Sequence, residues 1–232
     1  MDRKIAIMQP YFFPYIGYFQ LVNSANRFVF YDDVQYIKGG WINRNRVLVN
    51  GSAAFLTVEL SVASQNKRIC DVRWLDNSGK LLRTLRMAYG RAPFFRETIE
   101  LVESCFLRAG PAISDLARTT VEAVAEHLGL DTRFESSGQR YAETRGVNRA
   151  QRLVDITRGT GATTYINANG GRILYDKEFF SAQGVNLRFL QEHIETYPQF
   201  RNEFVPGLSI IDVLMFNPRD RVRNMLDRYT LD

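Results

Sequence analysis

The 232-residue sequence is poor in the residues from which metal and redox sites are built: it holds two histidines, His127 and His193, and two cysteines, Cys70 and Cys105. No CxxC pair, HExxH word or other ligand spacing occurs, so metal-assisted catalysis ranks last. The cysteines read as buried free thiols, Cys70 in a strand and Cys105 inside a helix. No apolar run approaches the roughly eighteen residues that a membrane span needs, and the amino terminus lacks the basic-apolar-small order of a signal peptide. A cytoplasmic protein is expected. Walker-type and GxGxxG loops, a GxSxG word, internal repeats and low-complexity tracts are also missing. Neither sign of charge dominates, with 30 Lys and Arg against 25 Asp and Glu. Scattered basic residues argue against a nucleic-acid partner and are compatible with a small anionic substrate such as a nucleotide-linked sugar.

What is present is aromatic and alternating. The apolar run Ile5-Ala6-Ile7 suits a first buried strand, and Gln9-Pro10-Tyr11-Phe12-Phe13-Pro14-Tyr15-Ile16-Gly17-Tyr18-Phe19 must then turn, because two prolines and a glycine forbid a continued strand. Its rings suit either a plug over the core or a platform for a ligand. Gln9 and Tyr11 are the expected contacts, with Phe12, Phe13 and Phe19 as packing. A helix over 16–24 and a strand over 27–31 complete a βαβ unit whose strand ends carry Gln9, Asp32 and Asp33 on one rim.

The block 35–50 contains Gln35, Trp41 and the run Asn43-Arg44-Asn45-Arg46. In an extended segment Arg44 and Arg46 share one face and Asn43 and Asn45 the other. The paired arginines suit a diphosphate, or else bridge Asp32 and Asp33. Asn50-Gly51 signals a hairpin between 47–49 and 54–58, and a further strand is expected over 69–75 after a polar loop at 61–68. These form a β-hairpin insertion over about 42–76. Helices around 81–85, 94–107 and 113–128 form a helical insertion over about 78–129. Alternation then returns: strand 132–136, helix 148–157, strand 163–167, helix 175–183, strand 185–190. The pattern is that of a single α/β domain over 1–232, a mostly parallel sheet with flanking helices. Strand ends where such sheets bind ligands carry Asn169 and Gly170 and, beyond the last strand, His193. Ser209 with Asp212 reads as a helix start.

The sequence resembles the WbqC-like family, whose members occur in bacterial gene sets for O-antigen and other surface polysaccharides. The matching words are Gln9-Pro10-Tyr11, Pro14, Gly17-Tyr18-Phe19, Asp33, Gln35-Tyr36, Trp41 and Asn43-Arg44-Asn45. Towards the end they are Tyr165, Gly170-Gly171, Tyr175, Tyr197, Gln199, Phe204 and Leu208-Ser209-Ile210 with Asp212. The resemblance implies a cytoplasmic step on a glycan precursor, the transfer of an acyl or aminoacyl group to an amino-sugar nucleotide. No family catalytic residue comes with it. From the residues themselves, His193 is the candidate general base and Asp33 an alternative base or its orienting group. Arg44 and Arg46 would hold a diphosphate, and Tyr11, Tyr15 and Trp41 would stack on a sugar or base. Gln9, Asp32, Gln35, Asn43, Asn45, Asn169, Gly170, Tyr197 and Gln199 complete the candidate binding set. Two other readings stay open. One is an ATP-using enzyme similar in layout to nucleotidylyltransferases, although no His-x-Gly-His follows the first strand. The other is a non-catalytic sugar-nucleotide-binding module.

Overall fold

The computed structural model describes residues 3–61, 66–201 and 203–232. Strand β1 (Lys4–Met8), helix α1 (Ile16–Asn23) and strand β2 (Arg27–Phe30) open the chain as the expected βαβ unit. A hairpin follows, β3 (Arg44–Val49) and β4 (Ser52–Thr57). Asn50 and Gly51 turn it at φ +50° and +77°, the left-handed pair that Asn-Gly adopts most readily. Short strands β5 (Glu59–Leu60) and β6 (Trp74–Leu75) pair with each other. The strand expected over 69–75 is instead a 3-10 turn at Ile69–Asp71 followed by the two residues of β6. Cys70 therefore sits in a turn and is only partly buried, whereas Cys105 is buried in a helix. Residues 62–65 of the loop expected at 61–68 lie outside the described residues.

Helices α2 (Ser78–Tyr89), α3 (Phe95–Arg108) and α4 (Ile113–Leu128) precede strand β7 (Arg133–Ser136). The one-turn helix α5 (Ser137–Arg140), helix α6 (Arg149–Gly159) and strand β8 (Thr164–Ala168) come next. Helix α7 (Lys177–Ser181), strand β9 (Asn186–Glu192), helices α8 (Ile210–Phe216) and α9 (Arg219–Met225) and strand β10 (Tyr229–Leu231) finish the chain.

Six strands form the main sheet in the order β10-β9-β8-β1-β2-β7, all parallel except β10. Period-two alternation explains why it is covered on both faces. Ile5, Ile7 and Val29 join a cluster under α6 and α7 with Leu153, Val154, Ile156 and Phe180. Ala6, Phe28, Phe30 and Ile166 point the other way, into the larger cluster formed with α1 to α4, α8 and α9. No helix among the described residues is long and apolar enough to cross a membrane.

The aromatic turn after β1 is mostly plug. Phe12, Phe13 and Phe19 are fully buried, and Phe13 adopts φ +38°, an unfavourable value for a bulky residue. Four distant segments hold it there. Phe12 N–H donates to the Trp41 carbonyl at 3.0 Å, Asn45 Nδ2 donates to the carbonyls of Phe12 and Phe13, Phe13 N–H donates to Thr120 Oγ1, and the Ser209 hydroxyl donates to the Phe13 carbonyl at 2.7 Å. Strain at a loop persists when the surroundings over-determine it, as these bonds do.

Candidate functional site

Strands β1, β2 and β7 step outward on one side of β1. The connection through α6 then returns across it to β8 and β9. Connections leaving β1 and β8 therefore diverge, and a crevice opens beyond their carboxyl ends, where doubly wound sheets bind ligands. A cleft of about 720 Å³ lies there. The β1 end supplies Gln9, the β2 end Tyr31 and Asp33, and the β8 end Asn167. The β7-to-β8 connection supplies Arg145, Arg149 and Arg152, and Arg68 reaches in from the loop before α2. Four arginines thus face a cleft whose only lining carboxylate among the described residues is Asp33.

Asp33 is consumed by that array. Its side chain is fully buried, and Oδ2 accepts from Arg145 Nε at 2.5 Å and from Arg152 Nη2 at 2.6 Å. Oδ1 accepts from the Ser137 hydroxyl at 2.5 Å. Burial alone would raise its pKa, but the Ser137 hydroxyl and the two guanidinium groups reverse this and hold it below the ordinary carboxylate value. An anion so paired positions arginines; it is not poised to take up a proton near neutral pH. The guanidinium of Arg152 also lies 4.8 Å from the Tyr31 ring centroid, which sets its plane.

Arg149 opens α6 directly after the N-cap Asn148, and the first turn of that helix holds no acidic residue. Cations at a helix amino terminus oppose its macrodipole, whereas an anion bound there would be favoured by both. Asn167 is buried, and its Oδ1 accepts from Ala168 N–H at 2.8 Å. A Cβ on Gly171 would come within 2.4 Å of Asn167 Nδ2, so only glycine leaves room for that amide. Burial raises the phenol pKa values of Tyr31 and Tyr175, which therefore meet a ligand as neutral hydroxyls. Ile37, Val147 and Leu174, from three separate loops, are half exposed along the cleft. The arrangement offers cations for a phosphate, amides and hydroxyls for a polar group, and an aliphatic edge for a planar one.

Of the residues singled out from sequence, Gln9, Asp33, Gln35 and Gly170 line this cleft. Asn169 flanks it, its Oδ1 accepting from Arg172 Nε. His193 is not among the lining residues. It is exposed beyond β9, with Nε2 3.4 Å from Thr230 Oγ1 on the edge strand. Strands β9 and β2 are three places apart, roughly 14 Å in the sheet plane, so the structure does not bring His193 to Asp33. Asp32 faces the opposite way from Asp33, accepting from the Ser136 hydroxyl at 2.6 Å and from Gly138 N–H at 2.9 Å.

The remaining residues are not among those lining this cleft. Arg44 donates to the carbonyls of Gly39 and Gly40 and lies 4.3 Å over the Phe55 ring. Arg46 donates to the Gly207 carbonyl at 3.0 Å and lies over Trp41. Neither arginine bridges Asp32 or Asp33. Asn43 links Tyr36 to the Val58 carbonyl, and Asn45 holds the Phe13 loop. Tyr11 packs on Tyr18, and the Tyr15 hydroxyl donates to Glu192 at 3.3 Å. Tyr197 and Gln199 both donate to the buried Asp212 at 2.7 Å, which Tyr89 reaches at 2.8 Å.

Sequence reasoning passed over Arg145, Arg149, Arg152 and Arg68. Sequence spacing does not mark them as a group: Arg145 precedes α6, Arg149 and Arg152 lie in its first turn, and Arg68 comes from a separate loop. The fold and site define a doubly wound α/β protein with an arginine-lined cleft at its switch point. Comparison with known sequences adds the family: the profile of the WbqC-like protein family matches residues 9–224, and the chain belongs to that family. The chain is also similar to the uncharacterised protein Rv1507c of Mycobacterium tuberculosis, 29% identical over 220 residues that cover 93% of this chain and 94% of that protein. No solved structure matches.

Proposed function

We propose that the cleft binds a nucleotide-linked amino sugar and that the protein is a transferase of bacterial surface-polysaccharide precursor synthesis, adding an acyl or aminoacyl group to that sugar. The observation that carries this reading is the convergence of Arg68, Arg145, Arg149 and Arg152 on one cleft at the switch point. A diphosphate would lie against Arg145 and Arg149 at the start of α6, with Arg152 behind them. The base would rest along Ile37, Val147 and Leu174, and Gln9 and Asn167 would orient the sugar. The sheet order is one in which doubly wound proteins hold nucleotides, which supports the reading by analogy. The glycine-rich first turn used for phosphate in such proteins has no counterpart here, because Phe12 and Phe13 fill that position.

In the transfer, the amine nitrogen of the sugar attacks the carbonyl carbon of an activated acyl donor such as a thioester. A C–N bond forms, the donor's leaving group departs with its bonding pair, and the displaced amine proton passes to solvent. This reading gives His193 no part in that step.

Isothermal titration with UDP-, dTDP-, GDP- and CDP-linked amino sugars tests the proposal. At least one should bind, and Arg149→Ala should weaken it tenfold or more, about the worth of one charge-assisted hydrogen bond. Failure of all four to bind, or full affinity in the variant, overturns it.

A further inference from the structure

Asp32 and Asp33 are consecutive residues at the end of β2, and their side chains face two different cavities. Asp33 lines the large cleft, whereas Asp32 lines a second chamber of about 290 Å³. Arg68 and Arg145 line both and form the partition between them. The smaller chamber lies at the low end of the size range for ligand pockets.

Arg118 on α4 is its third arginine, beside Arg68 and Arg145. Arg118 Nε is buried and has no hydrogen-bond partner among the described residues. Its terminal nitrogens are loosely engaged, 4.0 Å from Asp32 and 3.7 Å from Glu122, well beyond the 2.7–2.9 Å of a good charge-assisted bond. The guanidinium plane is held by the Phe30 ring at 5.6 Å. A bound acceptor would complete the hydrogen bonding of these loosely engaged terminal nitrogens. Ser114, also buried, and the exposed Gln139 add polar groups to the same wall. Against these three arginines Asp32 and Asp115 place two carboxylates on the chamber, leaving one cation in excess, so it suits a planar monoanion better than a phosphate dianion.

We infer that this chamber is a second subsite, for the carboxylate of a small organic acid, placed across the Arg68 and Arg145 partition from the nucleotide-sugar cleft. The inference stands apart from the proposed function: it is argued from the chamber's own residues, and a free carboxylate is not the activated acyl donor of that transfer.

The test is a titration of isotopically labelled protein, followed by amide chemical shifts, with monocarboxylates from acetate to hexanoate and with inorganic phosphate as a comparison. A saturable shift centred on Ser114, Arg118 and Gln139 is expected with at least one carboxylate, and a far smaller one with phosphate. Arg118→Gln should weaken that binding tenfold or more. Gln139→Trp, at an exposed position that leaves the core intact, should block the chamber and do the same. No saturable shift with any acid, equal binding of phosphate, or insensitivity to Gln139→Trp overturns the inference. A parallel titration with UDP separates the two claims: UDP bound in the large cleft without carboxylate binding removes only the second subsite. Carboxylate binding without any nucleotide or nucleotide-sugar binding removes only the proposed function.

Discussion

Asp33 is worth most to this protein as an ionised anchor. Removing it with Asp33→Ala would leave Arg152, whose side chain is only 7% exposed, without its counter-charge. Breaking a buried pair in this way costs about 3–5 kcal/mol, which urea unfolding would register. Most of that loss belongs to Arg152, because Arg145 is 38% exposed and more strongly screened. The pH dependence carries a definite sign. Because the folded state depresses the Asp33 pKa, its contribution is full above the unfolded value of about 4 and is lost as pH falls through the lower folded value. Asp33→Asn should therefore flatten the acid limb of the stability profile below about pH 4. Asp212 works in the opposite sense. Burial raises its pKa despite hydrogen bonds from Tyr197, Tyr89 and Gln199, so its ionisation subtracts stability as pH rises.

At the scale of elements, α6 breaks a local rule. A helix that begins with Arg149 and has no acidic first turn gives up dipole stabilisation that a carboxylate there would supply. Arg149→Glu should thus leave thermal stability unchanged or raise it by up to about 1 kcal/mol, while abolishing nucleotide-sugar binding. Calorimetry and titration on the same variant check both halves. Local conflicts of this kind mark functional positions.

Other elements divide between legible and illegible for physical reasons. The helix Ile113–Leu128 and the Asn50-Gly51 hairpin follow from periodicity and turn chemistry, both local. The segment 69–75 is β-branched enough to suggest a strand, yet Ile69 N–H bonds to the Val34 carbonyl and Cys70 N–H to that of Asp32, which fold it into a turn. Helix α9, with its three arginines, shows too little apolar face to announce itself. The cleft was half visible. Gln9 and Asp33 were found because strand ends bind ligands. Arg44 and Arg46 were indistinguishable from Arg145 and Arg149 until the sheet order decided which loops overlook the crevice.

Over the whole molecule the formal charge of +5 is small, and Arg68, Arg145 and Arg149 remain accessible around one cleft. Exposed charges are screened beyond about 8 Å at physiological salt. Affinity for a nucleotide sugar should therefore fall steadily as sodium chloride is raised, whereas the midpoint of urea unfolding should move little, because the Asp33 pairs are buried. A titration series across salt concentrations distinguishes this from a mainly apolar site, whose affinity would hold or increase.

The anchoring of Phe13 has a consequence for the order in which the molecule can be made. The Ser209 hydroxyl that closes this loop lies 196 residues further along the chain, and β1, at the centre of the sheet, waits for β8 to fill its second side. During synthesis the first strand and its aromatic turn therefore emerge long before their partners exist. Contacts of such separation slow folding and expose apolar surface meanwhile. Phe12, Phe13 and Phe19 thus depend for their final burial on segments made much later, α8 among them.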